Sequence, residues 1–483
     1  MILNKPTAIL SGVLIRGSHS FKVGGDWRID AFTNGVGSSA AGVYNFSGAE
    51  TGLPYTQGQT ISGGNVGLSY ASFLLGAVDS ASIANPTAPQ GRKRSWALYA
   101  QDSWKVTHKL SIEYGLRWDY QGFAREIFDR VSGFTPSVPN PSAGGLLGAT
   151  AYQGYGPGRC NCLFASPYPY AVAPRLGIAY QIARKTVLRV GWGITYGQTE
   201  VGQADFGGQL GVGGWNTLTF SAASYGQLAL QLSDGLNYNS AALYAASADA
   251  GIRPTPGQLN APPAMVDPNA ARPPRMNQWN IALQREITRN IIVEAAYVGN
   301  RGAWFVANSL VDLNAVTPQR LQSYGLNINN AADRTLLTSP ISSAPAQEFL
   351  NGVSAGPGAN ASSRWAVTGA GKLPYAGYPT GTTLAQSLRP YPQFGTLSVI
   401  EAPLGNTWYD SLQMKLTKRY SHGLDVTSTF AWQKEQANMG QGYGSGLGQV
   451  TGAVNDVFNR RNQKSLSSLS EPFTFSLGFS YRL

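Results

Sequence analysis

SWALYAQDSWKVTHKLSIEYGLRWDY, residues 95–120, is the stretch on which the fold turns. Its second arm puts Leu110, Ile112, Tyr114, Leu116, Trp118 and Tyr120 on one parity, and Ser111, Glu113, Gly115, Arg117 and Asp119 on the other. A period of two sends alternate side chains to opposite faces of a sheet. One face is apolar and aromatic; the other is small, polar and charged. About 9–11 such residues cross a bilayer as one tilted strand of a closed barrel. The arms meet at a tight basic turn, Val106-Thr107-His108-Lys109. The stretch therefore reads as a hairpin with a lipid face and a water face.

The same unit recurs along the chain. A first copy turns near Arg16-Gly17-Ser18-His19, with Phe21, Val23, Trp27 and Ile29 set against Lys22, Asp26, Arg28 and Asp30. Later copies turn near Arg184-Lys185, near Thr288-Arg289-Asn290 and at Ser421-His422-Gly423. Between the hairpins, residues 31–94, 121–173, 197–275, 298–407 and 433–471 are rich in Gly, Pro, Ser, Asn and Ala. Compact soluble domains seldom use loops above about 15 residues. Outer-membrane barrels do so on one side only, with short periplasmic turns and long extracellular loops. The expected fold is all-β, an antiparallel transmembrane β-barrel of that form. Within the long stretches, 395–400 is expected as a strand and NVGLSYASFLLGAV, 65–78, as a short helix. FTFSLGFSYRL, 473–483, alternates throughout and reads as a last strand.

Composition agrees. Charged residues make up 13% of the 483, against roughly a quarter in ordinary soluble domains. Gly (58) and Tyr (24) are abundant, which suits turns, small lumenal positions and aromatic girdles. No run approaches about 18 apolar residues, so a membrane-spanning helix is not expected. The net charge of +11 is dispersed over strands and turns. That pattern fits an anionic outer-leaflet surface or an Arg-lined lumen better than nucleic acid, which is not expected as a partner. The start, MILNKPTAILSGVLIRG, is a poor secretory signal. A barrel needs export, so the natural N-terminus is expected to lie upstream.

Little in the sequence offers covalent chemistry. His19, His108 and His422 fall in or beside predicted turns, and solvated turn residues are the expectation for all three. Glu113 and Asp119 share a strand face with Arg117, which points to a lumenal salt-bridge ladder rather than an acid/base pair. Cys160 and Cys162 read as a local loop disulfide or two idle thiols, because a zinc site needs about four ligands. Trp96, Trp104, Trp118, Trp192, Trp279 and Trp432 read as an interfacial girdle rather than a sugar-stacking platform. No catalytic, metal or cofactor-binding residue is assigned. The chain is not expected to be an enzyme, and no cofactor is expected.

Four segments carry a family resemblance. SWALYAQDSWKVTHKLSIEYGLRWD, APRLGIAYQIARKTVLRVGWGITYG, MNQWNIALQREITRNIIVEAAYVGNRG and YDSLQMKLTKRYSHGLDVTSTFAW resemble barrel hairpins of TonB-dependent outer-membrane receptors, of the Oar-like branch. NDVFNRRNQKSLSSLSEP is similar to the stretch before a late strand of that branch. The resemblance implies a barrel of about 22 strands, a plug and a TonB-interacting segment. Here neither plug nor TonB box is recognisable. Residues 1–483 are therefore expected to be a fragment of the receptor barrel, about 12–16 strands, with further strands beyond Leu483. The implied function is ligand binding and active uptake across the outer membrane, with three kinds of partner. They are outer-membrane lipid and lipopolysaccharide, an extracellular ligand, and the TonB–ExbB–ExbD system acting through the plug.

Two rivals stay open at this level. A surface adhesion or structural β-protein would bury its apolar strand faces against a second sheet. An outer-membrane hydrolase would gather His, Ser or carboxylates at the long-loop rim.

Overall fold

The computed structural model describes residues 2–33, 41–52, 67–84, 90–129, 131–156, 159–199, 211–212, 217–223, 226–238, 264–351, 373–395, 397–438, 454, 456–467 and 470–482. One antiparallel sheet of fourteen strands dominates them. Eleven of its strands are long. They are β1 (Thr7–Arg16), β2 (His19–Thr33), β3 (Gln90–Lys105), β4 (Leu110–Gln121), β5 (Tyr168–Ala183) and β6 (Thr186–Tyr196). The series continues through β7 (Arg275–Thr288), β8 (Ile291–Phe305), β9 (Gly405–Ser421), β10 (Leu424–Ala437) and β11 (Phe473–Tyr481). Each pairs with the next in sequence, an uninterrupted up-and-down meander. The remaining three members are the short pieces Ile2–Asn4, Arg125–Glu126 and Ser465–Leu466. Among the described residues, eleven of these fourteen strands have the length to cross a bilayer.

All five predicted hairpin turns are present. At the first, Gly17 takes φ +60°; at the last, His422 and Gly423 take +52° and +79°. Positive φ at these positions matches the right-handed twist of the arms, which ordinary turns would splay.

Register fixes which residues share a face. Trp27, Trp96 and Tyr120 lie opposite one another across β2, β3 and β4. Tyr114 faces Leu176, which faces Trp192, which faces Trp279. Leu412 faces Trp432, which faces Phe473. This outer face is apolar through its middle and largely exposed. Trp104 sits on it too, nearer the short turns, opposite Ile112. All six predicted girdle tryptophans therefore share one face. At Gly299 the Trp279 ring covers the bare backbone, where a Cβ would come within 2.6 Å of it.

The other parity forms the inner face, and the long loops fold over it. Ser95, Ala97, Ala171, Ala173 and Gln121 are buried at the loop end. Phe32 turns off the inner face into a loop core with Val131, Ala271 and Ile400. Gly91 makes room for it, since a Cβ there would lie 2.1 Å from the Phe32 ring.

The loops are more built than their composition implies. The predicted helix is present as α1 (Ser69–Leu74). The β8–β9 connection carries α2 (Pro318–Ser323), α3 (Ala331–Thr338), α4 (Ala344–Asn351) and α5 (Leu384–Ser387). Thr317, Asn330 and Thr383 cap α2, α3 and α5 through side-chain oxygens that accept backbone N–H bonds. Within the strand expected at 395–400, the described residues form a strand at Val399–Ile400, parallel to Met265–Val266; residue 396 lies outside the described residues. Among the described residues no helix is long and apolar enough to cross a membrane.

Among the described residues the sheet does not close on itself: β1 pairs only with β2, and β11 only with β10. Both edge strands are exposed along their length. Both also run from the loop end to the turn end, since Leu424 pairs with Tyr481 and Trp432 with Phe473. Closing such a sheet with antiparallel neighbours throughout takes an odd number of strands between β1 and β11. We predict that blocking the β11 edge, by Leu477→Pro, removes folded protein from the membrane, because an unpaired backbone group in lipid costs several kcal/mol. Unchanged amounts of folded variant would mean that β11 is not a wall strand.

Candidate functional site

The inner face is the candidate site, because it is the surface that a solute inside a barrel meets. Its charges come from alternate positions of β2, β3 and β4. Arg117 on β4 reaches Asp119 on its own strand (Nε to Oδ1, 3.0 Å) and Asp26 across two strands (Nη2 to Oδ2, 3.0 Å). Arg28 Nε lies 3.3 Å from Asp30, and Lys5 lies 3.8 Å from the same carboxylate. The expected ladder therefore exists through Arg117 and Asp119, with Asp26 as a third member that sequence reasoning missed. Asp26 lies 91 positions away in the chain, so no local pattern reveals it. Glu113 takes part in none of the ion pairs found among the described residues. Further along the wall, register puts Arg175 opposite Gly193 and Arg189 opposite Ala282 on this face.

These groups are part-exposed, so water screens them. Arg117→Ala is expected to change stability by less than about 1 kcal/mol, as for exposed ion pairs. Urea denaturation of the membrane-assembled chain measures this. A loss several times larger would show a desolvated network.

The extracellular end is covered by the β4–β5, β6–β7 and β8–β9 connections, which pack against one another. Phe134 of the β4–β5 connection meets Phe394 of the β8–β9 connection edge-on, ring centroids 5.7 Å apart. Gln393 Nε2 donates to the carbonyls of Leu147 and Gly148 at 2.9 and 3.1 Å. Asn314 ties the β8–β9 connection to itself, donating to Tyr391 O and Phe394 O. Ala143 joins Leu321, Tyr324, Ile341, Leu384 and Leu388 in the largest loop core. In that core Tyr378 donates its hydroxyl to Pro392 O, and burial pushes its phenol well above the usual range. Cys160 and Cys162 form a disulfide in the β4–β5 connection, the local-loop alternative of the two expected. That bond fits an oxidising compartment.

The histidines divide. His108 and His422 lie in turns at the short-turn end. His19 does not behave as a solvated turn residue: it opens β2, stacks on Trp104 and Phe21, and shares a 2.6 Å hydrogen bond with Asp102. Asp102 stands on the outer face, opposite Tyr114, whose hydroxyl donates to it at 3.0 Å. A carboxylate on a lipid-facing wall needs such partners. It lies close to the turn end of β3, where the bilayer meets water. The His19 ring is what the turn pattern concealed. His19→Leu is expected to lower the folded fraction more than His108→Leu, read by heat-modifiable gel mobility. Equal effects would contradict the pairing.

The outer face bears on the rivals. Across its middle it presents Leu98, Leu116, Leu176, Ile281, Leu283, Met414 and Leu416, all exposed, with no second sheet packed on them among the described residues. Charges on this face stay near the strand ends. Lys418 bends back to donate to the carbonyls of Ser421 and Leu424, while Arg301 pairs with Asp410 at 2.9 Å and covers Trp279. An apolar groove of about 940 Å³ also lies on this side, between Trp27, Trp96, Trp118 and Tyr120. It is a lipid-side groove, not the lumen.

The family match agrees with this architecture. A family model described as an outer membrane beta barrel domain matches residues 11–483. No curated protein matches the chain. Among solved structures it is similar to the ferric enterobactin receptor of Pseudomonas aeruginosa, at 10% identity and a TM-score of 0.35, covering 90% of this chain and 38% of that one. It is also similar to the siderophore receptor PiuA of Acinetobacter baumannii, at 11% identity and a TM-score of 0.34, covering 99% and 43%. The outer membrane transporter YddB of Escherichia coli matches at 8% identity and a TM-score of 0.32, covering 91% and 43%. The chain spans about two fifths of the length of these proteins.

Proposed function

Because the chain belongs to the outer-membrane β-barrel domain family and lies in the Gram-negative outer membrane, we propose that it forms the wall and extracellular cap of a TonB-dependent receptor of the Oar-like branch. In this reading the receptor takes up a scarce extracellular ligand. The observation that carries this reading is the two-sided wall: a charged inner face behind an apolar outer face, roofed at one end by interlocked loops. A receptor needs each part. The outer face holds the wall in lipid, the roof binds and excludes, and the inner charges line the path. The hairpin sequences support the branch assignment.

In this reading the chain supplies binding and confinement, not covalent chemistry. Energy comes from the inner-membrane TonB–ExbB–ExbD system, which pulls on a plug seated within the completed barrel. The wall is completed by further strands between β1 and β11.

The test compares the source bacterium with a strain lacking this chain, on panels of growth-limiting nutrients. The reading expects uptake of one nutrient to fail in the deletion strain. It expects the same failure in the parent when TonB is removed or the proton-motive force is collapsed. Uptake that persists without energy coupling would overturn it. Normal uptake with lost surface attachment would favour the adhesion alternative.

A further inference from the structure

We propose that the extracellular ends of β5–β8 hold the phosphate-bearing headgroup of an outer-leaflet lipid. The site is built from two arginines and three aromatic rings. Arg275 lies 4.4 Å from the centre of the Trp304 ring, and Arg272 lies 5.0 Å from the same ring and 5.3 Å from Tyr168. Tyr168 meets Trp304 edge-on at 5.6 Å, and Tyr196 stacks on it at 6.5 Å. Trp304 reaches this place through a left-handed backbone, φ +67°, at a bulge where the β8–β9 register shifts. Non-glycine residues adopt that conformation only where the surroundings hold them to it.

Two features point to an anion. Neither arginine has a carboxylate partner among the described residues, so two like charges share one indole. Arg272 Nε is moreover buried without a hydrogen-bond acceptor. A buried, unsatisfied guanidinium donor is unfavourable unless something accepts from it. A phosphate oxygen fits a planar guanidinium fork well.

Two further features point to a lipid. Register places Arg275 opposite Tyr196, on the parity of Trp192 and Trp279, which is the outer face. The pair therefore stands at the top of the aromatic girdle, at headgroup level. Pro169, the neighbour of Tyr168, also lines the apolar groove beside Trp118 and Tyr120. An acyl chain lying along that groove would continue directly from a head on the arginines. The inference rests on the outer-membrane orientation, with long loops outside, and not on the transport reading.

The test uses the full chain, extracted folded and placed in phosphatidylcholine nanodiscs. It is titrated with lipid A bearing its phosphates, with lipid A stripped of phosphate, and with inorganic phosphate. Phosphorylated lipid A is expected to be retained roughly tenfold better than the stripped form, as charge-assisted contacts imply. The Arg272→Gln/Arg275→Gln variant loses that preference, whereas Arg289→Gln, at a short turn, keeps it. Should the double variant fold poorly, Arg275→Lys keeps the charge, loses the planar stack and shows a reduced preference. Equal retention of the two lipids by the parent chain, or an unchanged preference in the variants, overturns the proposal. Displacement by inorganic phosphate would also overturn it, by assigning the site to a soluble anion. Protease cleavage of the 122–167 loop from outside intact cells tests the orientation separately, so the two failures are distinguishable.

Discussion

Arginine in place of Leu283 is expected to remove about 2–4 kcal/mol from the membrane-assembled barrel, while arginine in place of the next residue, Gln284, leaves it nearly unchanged. Leu283 lies on the outer face of β7, between Leu188 and Ala295, and is exposed. It sits two positions from Ile281 and four from Trp279, away from both rims. An arginine there would enter the hydrocarbon and drag its hydration with it. Gln284 pairs with Val187 and Glu294 on the inner face, where water is available and a carboxylate stands opposite. Urea-dependent loss of the heat-modifiable folded band from outer-membrane vesicles gives the difference between the two variants. The asymmetry matters more than either value. A soluble sheet packed on a partner would suffer at both positions or at neither.

Phe394→Ala is expected to cost about 3–5 kcal/mol of cap stability, the usual range for an aromatic removed from a packed core. Phe394 is fully buried and packs edge-on against Phe134 of another connection. Two amides, from Asn314 and Gln386, donate to its backbone carbonyl, so the segment around it is held as well as packed. The variant should leave the wall intact and open the roof. The expected pattern is normal folded mobility in gels with rapid proteolysis of the β4–β5 and β8–β9 connections from outside the cell. Proteolysis unchanged from the parent would show that the loops do not depend on one another.

The wall was legible in the sequence because its signal is local. Alternation along Leu110–Tyr120 needs no knowledge of the rest of the chain, and Gly17 or His422-Gly423 mark turns where they stand. The lipid face followed from the same pattern, since Leu176, Trp192 and Phe473 lie on the parity that the period of two assigns them. The cap was not legible. Its cores join Ala143 to Leu384 and Phe134 to Phe394, residues hundreds of positions apart. Many of its buried members are alanines, such as Ala124, Ala165, Ala270 and Ala271, which in composition look like ordinary loop. The Arg117–Asp26 contact was hidden for the same reason. The role of His19 is hidden because proximity to a turn says nothing about the neighbouring strand, which brings Asp102 alongside.

The central claim is that β1–β11 form a membrane wall with lipid on one parity and water on the other. Single cysteines at 279–285 of β7, spin-labelled one at a time in the membrane-assembled chain, test it most directly. Cys160 and Cys162 are paired and do not compete for the label. Collision with lipid-soluble oxygen should peak at 279, 281 and 283, and collision with a water-soluble nickel reagent at 280, 282 and 284. The same accessibility to both reagents along the strand, or a lipid signal on the even positions, would contradict the account.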